Sequence, residues 1–161
     1  MVVQIKLEEK DFENIRGQQK HEDILKLARE HRTLVMDLSE GSKQEKLSIF
    51  LSFARYLKGL MDKKERVNLA LLIDEGPQYC PWEPRGVQAA TSETISELCA
   101  LGRTAKLSVV LLSQGIAGEI GINASVRRNL NTQFTGKIHP LDMQEAGMSR
   151  WFGRTRTNFE H

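Results

Sequence analysis

The sequence predicts an α/β domain with a mostly parallel sheet and helices on both of its faces. Short apolar runs alternate with longer segments whose apolar residues recur at helical spacing, the order typical of strand–helix–strand units. The strand-like runs are almost continuously apolar, as in strands buried on both faces. With 161 residues, 40% of them hydrophobic, the chain is long enough for one well-filled core, so we expect one domain.

The first half of the chain contains five predicted elements. A helix with two apolar stripes is expected at 44–60, covered on more than one side. The strands on either side are recognised by their short apolar runs and by the turn residues that follow them. In order, the elements are a strand at 2–7, a helix at 22–30, a strand at 33–38, the helix at 44–60 and a strand at 68–75.

The second half repeats this alternation after a loop. Three prolines between residues 77 and 84 mark the loop, and Gly102 is a candidate cap for the helix that follows. The remaining elements are a helix at 86–101, a strand at 108–114, a helix at 123–130 and a strand at 133–138.

Charge is divided unevenly along the chain. Residues 1–102 carry 15 Lys and Arg against 17 Asp and Glu, whereas residues 103–161 carry 8 against 4. Arginine suits phosphate because its planar fork donates two parallel hydrogen bonds, although a solvated basic face is the commoner meaning of such an excess. The arginines that we consider as DNA contacts are Arg127, Arg128, Arg154 and Arg156.

Several classes of protein are disfavoured by composition. The apolar runs are far shorter than the roughly 20 residues needed to cross a bilayer. The N-terminus lacks the apolar core of a secretory signal, so we expect a cytoplasmic protein without membrane partners. Cys80 and Cys99 form no metal-binding spacing and are expected to be reduced and structural. The four histidines are scattered without ligand spacing.

Polar residues follow two of the predicted strands. Asp74 and Glu75 end the strand at 68–75, and Ser113 and Gln114 end the next one. Ligands of parallel sheets bind beyond the carboxyl ends of the strands. In nucleotide hydrolases one acid holds Mg²⁺ and the other polarises the attacking water, while a glutamine can contact a terminal phosphate. The alternative for each pair is an ordinary loop beginning.

One arginine stands directly before the second of these strands. Arg103 follows Gly102 at the end of the predicted helix at 86–101. A permanently charged arginine can neutralise charge on a transferring phosphoryl group, often across a subunit boundary. Alternatively, it merely complements the helix dipole.

The order of these segments resembles the C-terminal two-thirds of the HerA/FtsK ATPase core, over about residues 32–140. The segments that carry the resemblance are Leu34-Val-Met-Asp-Leu-Ser39, the long helix, Leu71-Leu-Ile-Asp-Glu75, Gly102-Arg103, Val109-Val-Leu-Leu-Ser-Gln114 and Asn131-Thr-Gln-Phe134. The resemblance implies a three-layer RecA-like P-loop NTPase core, with a partial core at 32–148 between an N-terminal segment at 1–31 and a basic tail at 149–161.

The resemblance also implies roles for individual residues. Asp74 would bind Mg²⁺ in the Walker B element, Glu75 would be the catalytic base, and Ser113 with Gln114 would contact the γ-phosphate of ATP. Arg103 would complete a site in the same or a neighbouring subunit. The expected partners are double-stranded DNA, further copies in a ring that is a hexamer when the protein is full length, and a nuclease or other DNA-processing protein.

One motif of the family is missing. No GxxxxGK[ST] phosphate loop occurs, and Gly76 and Pro77 stand where the family commonly has alanine and histidine. The chain is therefore either a fragment of a longer ATPase or a degenerate member. Because the triphosphate lacks a cradle, we expect negligible ATPase activity from this polypeptide alone.

Two other functions remain open at this point. The first is a non-hydrolytic DNA-binding or assembly subunit that keeps the fold without a working phosphate loop. The second is an unrelated α/β domain in which Asp37 and Asp74 form an acidic metal pocket, since both end predicted strands.

Overall fold

Four strands and five helices are found in the part of the chain that the computed structural model describes, namely residues 2–6, 18–31, 33–38, 41–115, 121–132 and 134. The strand expected at 133–138 lies outside this part except for Phe134. The elements are β1 (Val2–Lys6), α1 (Gln18–Glu30), β2 (Thr33–Asp37), α2 (Lys43–Asp62), β3 (Leu69–Ile73), α3 (Gly76–Tyr79), α4 (Val87–Leu101), β4 (Leu107–Leu111) and α5 (Ala124–Asn129).

The strands form two parallel pairs. β1 pairs with β2, with Val2 opposite Thr33, and β3 pairs with β4, with Leu69 opposite Leu107. The expected α/β alternation and parallel pairing are confirmed. The expected continuous sheet is not seen, because no ladder joins the two pairs within the described residues.

The core is built around α2. Ser42 and Glu45 form a capping box, in which the serine side chain accepts the Glu45 N–H and the Glu45 carboxylate accepts the Ser42 N–H. Both predicted apolar stripes are buried, which confirms that α2 is covered on more than one side. Its buried residues are Leu47, Ile49, Phe50, Leu51, Phe53, Ala54, Leu57, Leu60 and Met61.

The strands β3 and β4 differ from the expectation in one respect. Leu69, Leu71 and Ile73 face the core, but Leu72 is 65% exposed and its partner Val110 is 43% exposed. The prediction of burial on both faces was therefore wrong for the described residues. A continuous apolar run is compatible with burial on both faces of a strand, but it does not show which neighbouring elements cover each face.

Helix α1 packs on α2 through a buried histidine. His21 is 4% exposed, its Nε2 lies 2.8 Å from the Ser52 hydroxyl oxygen, and its ring lies against Phe53 and Tyr56. Its Nδ1 is buried and has no hydrogen-bond partner among the residues that the structure describes. Burial lowers the pKa of His21, because an apolar site disfavours the charged imidazolium.

A tight turn joins α4 to β4. Gly102 ends α4, and its carbonyl oxygen accepts the N–H groups of Ala105 and Leu107. A Cβ on this glycine would lie 2.5 Å from the carbonyl oxygens of both Leu98 and Leu107. The predicted cap is confirmed, but its backbone is right-handed, so close packing rather than a left-handed φ requires glycine here.

In the part of the chain that the structure describes, no helix has both the length and the apolar character needed to span a bilayer.

Replacing Gly102 by alanine should destabilise the protein, because the added methyl group must displace backbone carbonyls. We expect a loss of about 1–3 kcal/mol in the free energy of unfolding, measured by urea denaturation. Gly59→Ala is the matched control. Nothing lies within 4 Å of a Cβ at Gly59, and alanine in a helix stabilises by up to about 1 kcal/mol. Equal effects of the two changes would contradict the packing argument.

Lowering the pH from 7 to 5 should destabilise the fold through His21. Its pKa is depressed in the folded state, so the unfolded chain binds the proton more readily below its ordinary value of 6.5. Stability is therefore lost as the pH falls through this value toward the lower folded one. In His21→Phe, urea denaturation at several pH values should show a shallower dependence, and an unchanged slope would exclude His21 as the cause.

Candidate functional site

The two neighbouring acids lie in a turn rather than in a strand. β3 ends at Ile73, and Asp74 and Glu75 connect it to the short helix α3. Glu75 has φ 51° and ψ 49°, a left-handed conformation that is uncommon for residues other than glycine. The prediction that the strand extends to Glu75 was thus wrong by two residues, and the turn, not strand alternation, directs these carboxylates.

Backbone hydrogen bonds fix this turn beside the end of β4. The Leu112 N–H donates to the Ile73 carbonyl at 3.0 Å, and the Gly76 N–H donates to the Leu112 carbonyl at 2.8 Å. Asp74 and Glu75 therefore lie between two residues, Ile73 and Gly76, whose backbones are both hydrogen-bonded to Leu112 just after β4. Ser113 and Gln114 follow Leu112 directly, so the structure brings both predicted polar pairs to the same edge of the sheet.

Both acids are accessible to solvent. Asp74 and Glu75 are exposed, as are Ser113 and Gln114. One oxygen of Asp74, Oδ1, accepts the Glu75 N–H at 2.9 Å, and the Gln78 side-chain amide donates to the Glu75 carboxylate. Each carboxylate thus keeps one oxygen outside these bonds.

A tyrosine that the sequence analysis overlooked lies beneath the turn. The ring of Tyr79 packs on Phe50 of α2, with centroids 4.6 Å apart. Burial, and then the negative charges of Glu75 and Asp74, raise the pKa of Tyr79. The sequence feature that could have identified Tyr79 is its position four residues after Glu75, one helical turn away.

The loop after α3 is pinned to α5. The Cys80 carbonyl accepts the Asn123 N–H at 2.9 Å, and the Trp82 carbonyl accepts the Asn123 side-chain amide at 3.4 Å. The guanidinium of Arg127 lies 4.7 Å from the centre of the Trp82 ring. Arg127 therefore has a structural contact of its own, whereas Arg128 beside it is exposed.

Both cysteines are free, and burial raises the pKa of Cys80 to about 12 and that of Cys99 to about 11. The Cys80 thiol donates to the Gly76 carbonyl at 3.3 Å. Both thiols are thus protonated at neutral pH and act as core groups.

Arg103 is not brought to the acids. It precedes β4, and the carbonyl of Lys106, three residues later, accepts the Leu69 N–H at the start of β3. The acids lie beyond the other end of β3, and five strand residues span roughly 16 Å. A site completed by Arg103 of the same chain does not fit this geometry. Sequence reasoning held the signal: Arg103 precedes its strand, whereas Asp74 follows its own.

The other proposed acid and the remaining arginines are placed as follows. Asp37 ends β2, in the sheet that forms no ladder with β3 and β4 among the described residues. Arg154 and Arg156 lie outside the described residues.

The acids stand on an open rim. A groove of about 390 Å³ lies between α2 and α4, and another of about 760 Å³ lies between α1 and α2. Neither is lined by Asp74 or Glu75. Asp74 and Glu75 are thus exposed and lie outside both of these grooves.

The donor groups at the rim suit Mg²⁺. No three His, Cys, Asp or Glu side chains of the described part gather into a ready-made metal site. Mg²⁺ does not need one, because it is commonly held by one or two carboxylates together with waters and substrate phosphates. The outward oxygens of Asp74 and Glu75 fit this mode.

Comparisons of the chain with protein-family models, with curated proteins and with solved structures give no match.

The left-handed turn at Glu75 predicts an order of stability among variants. Glu75→Gly should be more stable than Glu75→Ala by about 1 kcal/mol, because only glycine adopts this φ without steric cost. Chemical denaturation of both variants measures the difference. Equal stabilities would show that the backbone at Glu75 is not left-handed.

Proposed function

We propose that this chain supplies the acidic half of a Mg²⁺–ATP site in a DNA-translocating ATPase of the HerA/FtsK type. One observation carries the proposal: the exposed acids Asp74 and Glu75 lie in a turn that is hydrogen-bonded to Leu112, the residue after β4. Ser113 and Gln114, which were expected to end this strand, follow Leu112 directly. Two acids beside a polar pair, at the carboxyl edge of parallel strands, suit a hydrated cation that bridges phosphate oxygens.

The residues would divide the work as their positions allow. Asp74 would hold Mg²⁺, with Ser113 and Gln114 facing the terminal phosphate of ATP. Glu75 would orient and polarise the attacking water, and its bond from Gln78 would fix the direction of the carboxylate. Within this proposal the described α/β unit is part of a RecA-like core.

The position of Arg103 determines which subunit's nucleotide site it could contribute to. Because Arg103 lies at the opposite end of its own sheet, it would reach a nucleotide only on a neighbouring subunit. The proposal therefore requires a ring or another assembly in which Arg103 of one subunit reaches the acid turn of the next.

A second candidate is a non-hydrolytic DNA-binding or assembly subunit with the same fold. The observation that favours it is the exposure of Asp74 and Glu75, which line neither of the two grooves between the helices. It requires DNA binding to survive when Asp74 and Glu75 are neutralised together.

Glu75→Gln separates the two candidates in a protein that carries this chain together with a phosphate loop. General-base catalysis contributes roughly 10²–10⁴-fold, so we expect Mg²⁺-dependent ATP turnover to fall at least about 100-fold. ATP affinity should change little, because glutamine keeps the size of glutamate and one of its acceptor oxygens. Turnover is measured by phosphate release and affinity by titration calorimetry.

Glu83→Gln is the matched control, because Glu83 is exposed in the next loop and loses the same charge. Its turnover should equal that of the unaltered protein. Unchanged turnover in Glu75→Gln would remove the catalytic assignment. Loss of turnover in both variants would indicate a general effect of charge.

A further inference from the structure

The end of the sheet opposite the acids is basic. Two loops meet there, at residues 62–68 before β3 and at residues 101–106 before β4. Together they carry five cations and two carboxylates. One carboxylate, Asp62, is already paired with Lys58 at 3.0 Å. The cations, all exposed, are Lys63, Lys64, Arg66, Arg103 and Lys106.

The two loops are held as one rigid surface. The Val67 N–H donates to the Ala105 carbonyl at 2.7 Å, and the Leu69 N–H donates to the Lys106 carbonyl at 3.1 Å. From α1, the guanidinium of Arg29 donates to the Arg66 carbonyl at 3.0 Å. These hydrogen bonds fix the backbone from which the charged side chains extend into solvent.

The cations of this surface are not neutralised by carboxylates of the described part of the chain. Within the described residues, none of the five forms an ion pair with a carboxylate. Glu65 is the one acid of the two loops outside an ion pair. The surface therefore carries a local positive excess, although the whole chain has a formal net charge of only +2.

Two of the lysines occupy positions where glycine would be more stable. Lys64 has φ 62° and Lys106 has φ 55°, both left-handed. Lys64 follows the end of α2, where its N–H donates to the Met61 carbonyl and the Glu65 N–H donates to the Leu60 carbonyl. This is the Schellman arrangement, whose left-handed residue is usually glycine.

A side chain in the left-handed region is sterically unfavourable. For Lys64, attraction to the C-terminal end of the α2 dipole offsets part of this cost. Lys106 directly precedes β4. Asn68 of the first loop is also left-handed, with φ 52°, but asparagine tolerates this region better than lysine. Strained residues cluster at functional sites, which makes the two lysines candidates for a functional role.

We propose that this basic surface binds the phosphate backbone of double-stranded DNA without reading its sequence. The choice of DNA as the polyanion rests on the proposed function. The surface has the features of backbone binding: fixed lysines and arginines, and no exposed aromatic ring in either loop on which an unpaired base would stack. Lys64 and Lys106 contact phosphates, and Arg66 extends the contact.

The experiment measures binding of this chain, without nucleotide, to a fluorescently labelled duplex by anisotropy at several salt concentrations. Each lost phosphate contact should lower the slope of log affinity against log salt by about 1. Lys64→Gln with Lys106→Gln should therefore lower the slope by about 2 and the affinity at low salt about tenfold. Lys64→Gly with Lys106→Gly should lose the same affinity while gaining stability.

The matched control is Lys43→Gln with Lys46→Gln in the first turn of α2, which removes the same charge outside the basic surface. Its affinity should stay within about twofold of the unaltered chain. Equal losses in both pairs, no loss in either, or absence of duplex binding by the unaltered chain would overturn the proposal. Binding to phosphatidylserine vesicles but not to the duplex would overturn the assignment to DNA.

This test is independent of the acid turn. It contains no ATP, so it stands if Glu75 proves not to be catalytic. Conversely, the basic surface could fail to bind DNA while Glu75→Gln shows the expected loss of ATP turnover. The proposed function would then stand without the basic surface.

Discussion

The parallel ladder between β3 and β4 positions both the acid turn and the two basic loops on which the proposals rest. At its carboxyl end, the Gly76 N–H holds the acid turn on the Leu112 carbonyl. At its amino end, the Val67 N–H holds one basic loop on the Ala105 carbonyl of the other. A parallel pair presents equivalent ends of both strands at the same edge. The ladder therefore collects acids at one edge and cations at the other.

This separation of charge limits how one chain can act. Phosphate oxygens require cations, and a hydrated Mg²⁺ requires carboxylates, so the two edges suit different parts of a polyanionic ligand or different ligands. An arginine at the amino edge serves a site at the carboxyl edge only through a second subunit. The head-to-tail contact that this requires is heterologous, which is the type of contact that closes into rings.

One face of the ladder lies open in the described residues. Leu72, Val110 and Leu112 are exposed there, while the opposite face packs on the helices. Parallel sheets are normally covered on both faces. The rim that carries Asp74 borders this open face, and both acids are accessible to solvent.

The amino-acid sequence was enough to predict the four longer helices, the four described strands, their order and the acid pair. The stripes of α2 and the apolar runs of the strands are local patterns, and local patterns fix secondary structure before any packing is known. It also held the information that Arg103 and Asp74 lie at opposite edges, because one precedes its strand and the other follows it.

The left-handed backbone at Glu75, Lys64 and Lys106 and the exposure of Leu72 became apparent only from the fold. The sign of φ in a turn depends on its hydrogen bonds and packing, such as the bond from the Lys64 N–H to the Met61 carbonyl, and the spacing of apolar residues does not record these. Burial depends on what lies against a residue, which periodicity does not record either. The basic surface emerged in the same way, from two loops more than 30 residues apart that backbone hydrogen bonds bring together.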